Sequence, residues 1–168
     1  MNKVALLAAV LLMIPVPGPG EEGGRDHEEE ARSAIAGLSP GLQQLFSSEM
    51  LALQQGRMEL VPLYVAGKLQ EIAVIAGKME DSLVLKKNLT RSQMHELHTK
   101  LPASFIAQDQ QFHYLAGMLE DVAEVGKIEL VGFYIAKMGE ACVACHSTHA
   151  GNRFPNLVPD RQGGSDHH

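Results

Sequence analysis

Apolar residues recur along most of this chain at intervals of three and four positions, the spacing of one face of an α-helix. The recurrence falls into four segments, with apolar positions at Leu42, Leu45, Phe46, Glu49 or Met50, Leu53 and Leu60; at Leu69, Ile72, Ala73, Ala76, Met79 and Leu83; at Phe105, Phe112, Leu115, Ala116, Leu119 and Val122; and at Ile128, Val131, Tyr134, Ile135 and Met138. No segment alternates convincingly with period two, so no strand is predicted. Amphipathic segments of roughly 15 to 25 residues with short links predict an all-α protein, an antiparallel four-helix bundle with a longer crossover near residues 86–101.

Local signals mark where these helices begin and end. Ser39 and Pro40 supply an N-cap followed by proline at the first helical position, and Pro62 should end or kink the same helix. The remaining signals are a capping box over Thr90–Gln93 that opens a short helix through His98, Pro102 before the third long helix, and Gly126 before the fourth.

The two ends of the chain differ from the helical part. Residues 1–20 carry one cation, Lys3, then an apolar run and a Pro/Gly-rich break, which is the layout of a secretory signal peptide cleaved near residue 20. An uncleaved N-terminal anchor is the alternative. Residues 21–38 are predicted to form an acidic, flexible leader. Residues 39–152 are predicted to form the helical domain, and residues 153–168 an irregular tail.

The residues that carry chemistry follow the last apolar stripe directly. Cys142, Cys145 and His146 form a C-x-x-C-H haem-attachment signature, and it uses both cysteines of the chain. In c-type cytochromes the two thiols form thioethers with haem and the histidine is an axial ligand of iron. A thioredoxin-like redox pair would need a βαβ pattern, and half of a zinc site would need a second pair of ligands. The motif therefore predicts one covalent haem c and leaves no cysteine for a disulfide.

A haem-attachment motif near the C-terminal end of the last helix of a four-helix bundle resembles the class II c-type cytochromes, which comprise cytochrome c′ and its low-spin relatives with a methionine sixth ligand. The resemblance covers roughly residues 40–150 and rests on Glu140–His146, together with Phe112–Leu119, which is similar to the third helix of that family. The Leu-Pro crossover and the segment Asn152–Pro155 depart from typical cytochrome c′. The resemblance implies haem attachment outside the bacterial cytoplasm, hence a periplasmic protein.

What lies opposite His146 decides between the two functions known in that family. A protein ligand there suits an electron carrier, whereas an apolar pocket leaves iron open to NO or CO. Met50 lies about 15 Å along the first helix and Met58 about 27 Å, so in an antiparallel bundle Met50 is nearer the height of His146. Met50 is therefore the predicted sixth ligand. An open distal face, Met58 and His113 are the alternatives, and a methionine here is also ordinary core filler.

Further residues are candidates for the surroundings of the haem. Arg57 and Arg153 could pair with the propionates, although either arginine could equally be solvated. Residues that could line the haem, or equally belong to a generic core, are Phe46, Leu53, Phe112, Tyr134 and Met138. Histidines predicted to lie at the surface are His95, His98, His149, His167 and His168.

The charge of the chain limits its partners. The 168 residues carry 14 Lys and Arg against 20 Asp and Glu, a formal net charge of −6. An acidic surface argues against nucleic acid and anionic lipid and is compatible with a redox partner protein that presents a basic patch. A homodimer is compatible with the pattern but is not established by it. A haem enzyme is not indicated, because the sequence has no distal Arg/His pair at a recognisable spacing. The sequence therefore predicts an iron-binding electron-transport protein without catalytic activity.

Overall fold

The computed structural model describes residues 35–84 and 87–158, and within these ranges the chain forms helices and turns and no strand. The elements in chain order are α1 (Pro40–Val65), α2 (Leu69–Asp81), α3 (Arg91–Lys100), α4 (Ala103–Glu124), α5 (Ile128–His149) and a 3₁₀ turn over Pro155–Leu157. The predicted all-helical class is confirmed. The signal peptide, most of the acidic leader and the last ten residues of the tail lie outside the described residues.

The helices of the described ranges begin and end close to the local sequence signals. α1 starts at Pro40 directly after Ser39, and it continues past Pro62 to end at Val65. α3 opens with the predicted capping box, because the Gln93 backbone N–H donates to Thr90 Oγ1 at 3.2 Å and the Thr90 backbone N–H donates to Gln93 Oε1 at 2.9 Å. None of these helices combines the length and hydropathy needed to cross a membrane.

Two tight reversals join α1 to α2 and α4 to α5. Gly126 has a φ of +74°, in the left-handed region that favours glycine, and the N–H of Lys127 donates to the carbonyl of Val122 at 2.9 Å. Gly67 makes the same turn after α1, with a φ of +68°. Each reversal folds the next helix back onto its predecessor within a few residues.

The buried apolar side chains form two clusters. α2 packs most extensively on α4 and α4 on α5, with α1 against α2. The main core consists of Leu53, Leu60, Ile72, Ala73, Ala76, Met79, Phe112, Ala116, Leu119, Val122, Ala123, Val131, Ile135 and Met138. The end cluster consists of Leu38, Leu42, Phe46, Val84, Leu97, Leu101 and Phe105. Leu38, the last residue of the predicted leader, is thus buried in the fold.

Candidate functional site

The two cysteines lie on the last turns of α5, where the main core meets the end cluster. Both thiols are free and half-buried. Cys142 packs against the main core, whereas Cys145 packs against the end cluster. The intervening Val143 and Ala144 are exposed, because residues three apart share a helix face and those between them do not. The spacing therefore turns both sulfurs toward the interior at the boundary of the two clusters.

Burial keeps both thiols neutral. It raises the pKa of the Cys145 thiol to about 11, and the negative charge of Asp109 adds to the effect. Burial also raises the pKa of the Cys142 thiol, although the nearby Arg57 guanidinium offsets part of the rise. Both side chains are consequently protonated at neutral pH.

The imidazole of His146 follows the cysteines and is half-buried. Burial lowers the pKa of His146, and the positive charge of Arg153 lowers it further. The ring stacks on Phe154 with 4.3 Å between centroids and an interplanar angle of 2°. Within residues 35–84 and 87–158 no hydrogen bond holds either ring nitrogen. The neutral imidazole therefore keeps a lone pair for a metal, and its plane is set by an aromatic neighbour.

His149 is buried, so the prediction of a surface position is wrong. Only 3% of the residue is exposed, and its ring packs edge-on against Phe105 at 5.3 Å. The reason is its register, since His149 continues the steps of three and four residues that place Cys142 and Cys145 on the inward face of α5.

Met50 lies on α1, in register with two residues of that helix that contact α5. It precedes Arg57 and Tyr64 at steps of seven residues, and residues at that spacing share one side of a helix. Arg57 donates a hydrogen bond to the carbonyl of Ile135, and Tyr64 lies against Gly132. The Met50 side chain itself is 38% exposed. Met58 is 69% exposed and points away from this contact.

The other predicted haem neighbours are distributed over both clusters. Phe46 belongs to the end cluster, while Tyr134 is half-buried against the main core. Three of them are buried in the main core, namely Leu53, Phe112 and Met138. The charge of Arg57 lowers the pKa of Cys142 and the charge of Arg153 lowers the pKa of His146, so both arginines act on the motif electrostatically.

A buried polar trio, defined as Glu49, Asp109 and His113, was not singled out as a group by the sequence. His113 Nδ1 donates to the carbonyl of Met79 at 2.7 Å, which leaves Nε2 facing Glu49 Oε1 at 3.4 Å and Asp109 Oδ1 at 3.8 Å. All three side chains are buried, and one oxygen of each carboxylate has no hydrogen-bond partner among the residues that the structure describes. The one sequence feature that indicated this trio is Glu49, a glutamate at an apolar position of the first helical segment.

Two members of the trio, Asp109 and His113, have raised pKa values. Burial raises the pKa of Asp109 to about 6, with the charge of Glu49 adding to the rise and that of His113 opposing it. Burial alone would lower the pKa of His113, but the interaction with Glu49 and the charge of Asp109 outweigh it, so the pKa is raised. Because the charge of Asp109 also raises the pKa of Cys145, the trio influences the motif electrostatically.

The described residues contain no group of three or more His, Cys, Asp or Glu side chains arranged to hold a metal ion. The donor set of haem c is different, because it needs two thiols and one imidazole, with iron held by the porphyrin. Two free thiols on one helix face, followed at once by a neutral imidazole, fit that group.

Comparison with known proteins assigns no family, since no family model, no curated protein and no solved structure gives a match to this chain.

Proposed function

We propose that this protein is a periplasmic mono-haem c-type cytochrome of the class II kind, an antiparallel four-helix bundle that carries electrons. The observation that supports it most is the environment of the motif: two free, inward-facing thiols on α5 followed by the half-buried imidazole of His146. Haem c, when bound, supplies reversible one-electron chemistry at iron. His146 would be one axial ligand of that iron and Met50 the other.

The contacts between α1 and α5 support Met50. Tyr64 lies against Gly132, and Arg57 lies against Gly139, so residue numbers fall along α1 as they rise along α5. One further step of seven residues pairs Met50 with His146. The side of α1 that carries Met50 therefore reaches the level of the imidazole, whereas Met58 faces elsewhere.

The chain's own residues would hold the porphyrin in three ways. Each thiol would add across one vinyl group, so that a C–S bond would form and the thiol hydrogen would pass to the neighbouring carbon. Cys142 and Cys145 are both free and therefore available for this addition. Apolar side chains of both clusters would exclude water, and Arg57 and Arg153 would neutralise the propionates.

Covalent haem is tested directly on the exported protein. A denaturing gel stained for haem should show a band that is lost in the double variant Cys142→Ser/Cys145→Ser. The alkaline pyridine spectrum should report one haem per chain. A colourless protein, or pigment that acidified organic solvent extracts, would overturn the proposal.

The sixth ligand is tested with a matched pair of methionine variants. Met50→Ala should convert low-spin to high-spin iron and lower the reduction potential, because a thioether ligand favours the reduced state. Met58→Ala removes the same side chain from an exposed position and should leave the spectrum unchanged. An unchanged spectrum in Met50→Ala would mean that Met50 is not a ligand.

The second candidate is a five-coordinate binder of NO or CO. It is favoured by the exposure of Met50, whose side chain is not turned into the core. The reduced protein would then be high-spin and its spectrum would shift on adding CO, whereas the electron carrier would be indifferent to CO.

A redox partner with a basic surface is supported by a concentration of carboxylates. The ends of α2 and α4 bring together Glu80, Asp81, Glu120, Asp121 and Glu124, and burial together with these neighbouring charges raises the pKa of Glu120. Electron transfer to a basic acceptor protein should slow as ionic strength rises, because salt screens the attraction. Association of two copies of the chain into a homodimer would be read from its mass in solution.

A further inference from the structure

The chain turns back on itself immediately after α5 and places Phe154 over the motif. The N–H groups of Arg153 and Phe154 both donate to the carbonyl of Ala150, at 2.9 and 3.0 Å. Pro155 then keeps Phe154 out of the helical region. The φ of −126° and the ψ of 62° of Phe154 agree with that restriction. The ring of Phe154 is thus delivered to His146 by a hydrogen-bonded turn.

The contact between the two rings is face to face. Their centroids are 4.3 Å apart and their planes differ by 2°. An axial imidazole binds iron through a lone pair in the plane of the ring, whereas stacking uses the face of the ring. The two interactions therefore do not compete, and a stacked neighbour controls the angle of the ring about its side-chain bonds.

We propose that Phe154 is a positioning residue that fixes the plane of the His146 imidazole, the axial ligand of the proposed haem site. Axial histidines usually have their second nitrogen oriented by a hydrogen bond to a carbonyl or carboxylate. No such bond to His146 is found in the described part of the chain, so Phe154 takes over the orienting role. A stacked aromatic pair shifts the balance between oriented and rotated rings roughly 2- to 12-fold.

The position of Phe154 fits this role better than simple core filling. The residue is 39% exposed and belongs to neither apolar cluster. Its ring stacks on the imidazole of His146. A side chain of similar size but without a ring would cover His146 and leave its plane undetermined.

Three variants of the full-length holoprotein separate these roles. Phe154→Leu keeps apolar volume and removes the ring, whereas Phe154→Tyr keeps the ring. Phe133→Leu is the control, because it removes a half-exposed ring of α5 away from the motif. The electron paramagnetic resonance g values of the ferric protein report the orientation of the axial imidazole. Nuclear Overhauser contacts between the rings of residues 146 and 154 are measured in the diamagnetic ferrous protein, with CO added if iron is five-coordinate.

The expected result is a changed spread of g values and loss of the ring–ring contacts in Phe154→Leu, with both signals restored in Phe154→Tyr and unaltered in Phe133→Leu. Unaltered g values in a haem-loaded Phe154→Leu would overturn the inference while leaving the haem site intact. The same change in Phe133→Leu would overturn it as well, since the effect would then be nonspecific. A colourless protein would overturn the proposed function and this inference with it.

Discussion

Individual side chains at the end of α5 have distinct chemistry because their surroundings differ. Cys142 and Cys145 share a helix face, yet Cys142 has the cation of Arg57 nearby and Cys145 the carboxyl of Asp109. The first neighbour favours a thiolate and the second opposes it. Cys145 is therefore the less reactive of the two free thiols.

Alkylation of the full-length protein made without haem measures this difference. At pH 8 Cys145 should react with iodoacetamide at least about 100-fold more slowly than an unperturbed thiol, since a pKa of about 11 leaves little thiolate. Cys142 should react faster than Cys145. In concentrated urea the two rates should converge, and equal rates in the folded protein would contradict the assigned environments.

The motif was predictable because its requirements are local. Two thiols and an imidazole within five positions are legible in the sequence, and the apolar stripe of α5 indicates which way they face. The polar trio could not be predicted from the sequence, because its hydrogen bonds join distant positions. Glu49 is 35 positions from Val84, and His113 is 34 positions from Met79. His149 was misplaced because its polarity was weighed above its register.

At the scale of elements, backbone conformation decides where one helix gives way to the next. Gly126→Ala should lower the free energy of unfolding by about 1–2 kcal/mol, because a side chain disfavours the left-handed conformation at +74°. The matched control is Gly41→Ala in the first turn of α1, where an added Cβ meets nothing within 4 Å. That variant should be neutral or slightly stabilising in urea unfolding. Equal losses in both would contradict the assigned turn.

Close contact between α1 and α5 depends on glycines, which the spacing of apolar residues does not reveal. A Cβ at Gly132 would lie 2.5 Å from the Tyr64 hydroxyl and 2.9 Å from its ring carbon, so the rigid ring must move. Helix start and stop signals are local and were legible, but the distance between two packed helices is not. The absence of a side chain at Gly132 is therefore a determinant of the α1–α5 register.

Gly132→Ala should destabilise the protein by up to about 2 kcal/mol, because overpacking costs about 1–3 kcal/mol and the better helix propensity of alanine offsets roughly 1 kcal/mol of it. Gly77→Ala is the control, since its Cβ would meet only the carboxylate of Glu120, the far end of a flexible side chain. That variant should be neutral or stabilising. Thermal unfolding of both proteins makes the comparison, and a harmless Gly132→Ala would show that α1 and α5 are less closely packed.

At the scale of the whole molecule, the polar trio joins three helices at the boundary of the two apolar clusters. Glu49 of α1 accepts the N–H of Val84, just after α2, at 3.1 Å. His113 of α4 donates to Met79 of α2 at 2.7 Å. The neighbouring carboxylates have no cation among the described residues other than a protonated His113. The fold therefore tolerates this trio best when Asp109 and His113 are protonated.

Proton binding by Asp109 and His113 makes the free energy of unfolding depend on pH with a definite sign. Asp109 has a raised pKa of about 6 against an ordinary 3.8, so the folded state binds the proton more tightly. Its stabilising contribution is present below pH 4 and is lost as pH rises through 6. His113 acts in the same direction, with its contribution present below pH 6.5 and lost above its raised folded pKa. Within this window, the trio's contribution to the free energy of unfolding should fall from pH 4 to pH 8.

Urea unfolding of the full-length protein across that range tests the sign. Asp109→Asn cannot ionise, so its free energy of unfolding should change less between pH 4 and 7 and should exceed that of the unsubstituted protein at the upper end. Asp121→Asn, at an exposed position of the same helix, removes a carboxylate without touching the trio and should keep the original slope. An Asp109→Asn profile parallel to the original would show that Asp109 is already ionised in the fold at low pH, and that the trio is stabilised as a set of charges instead.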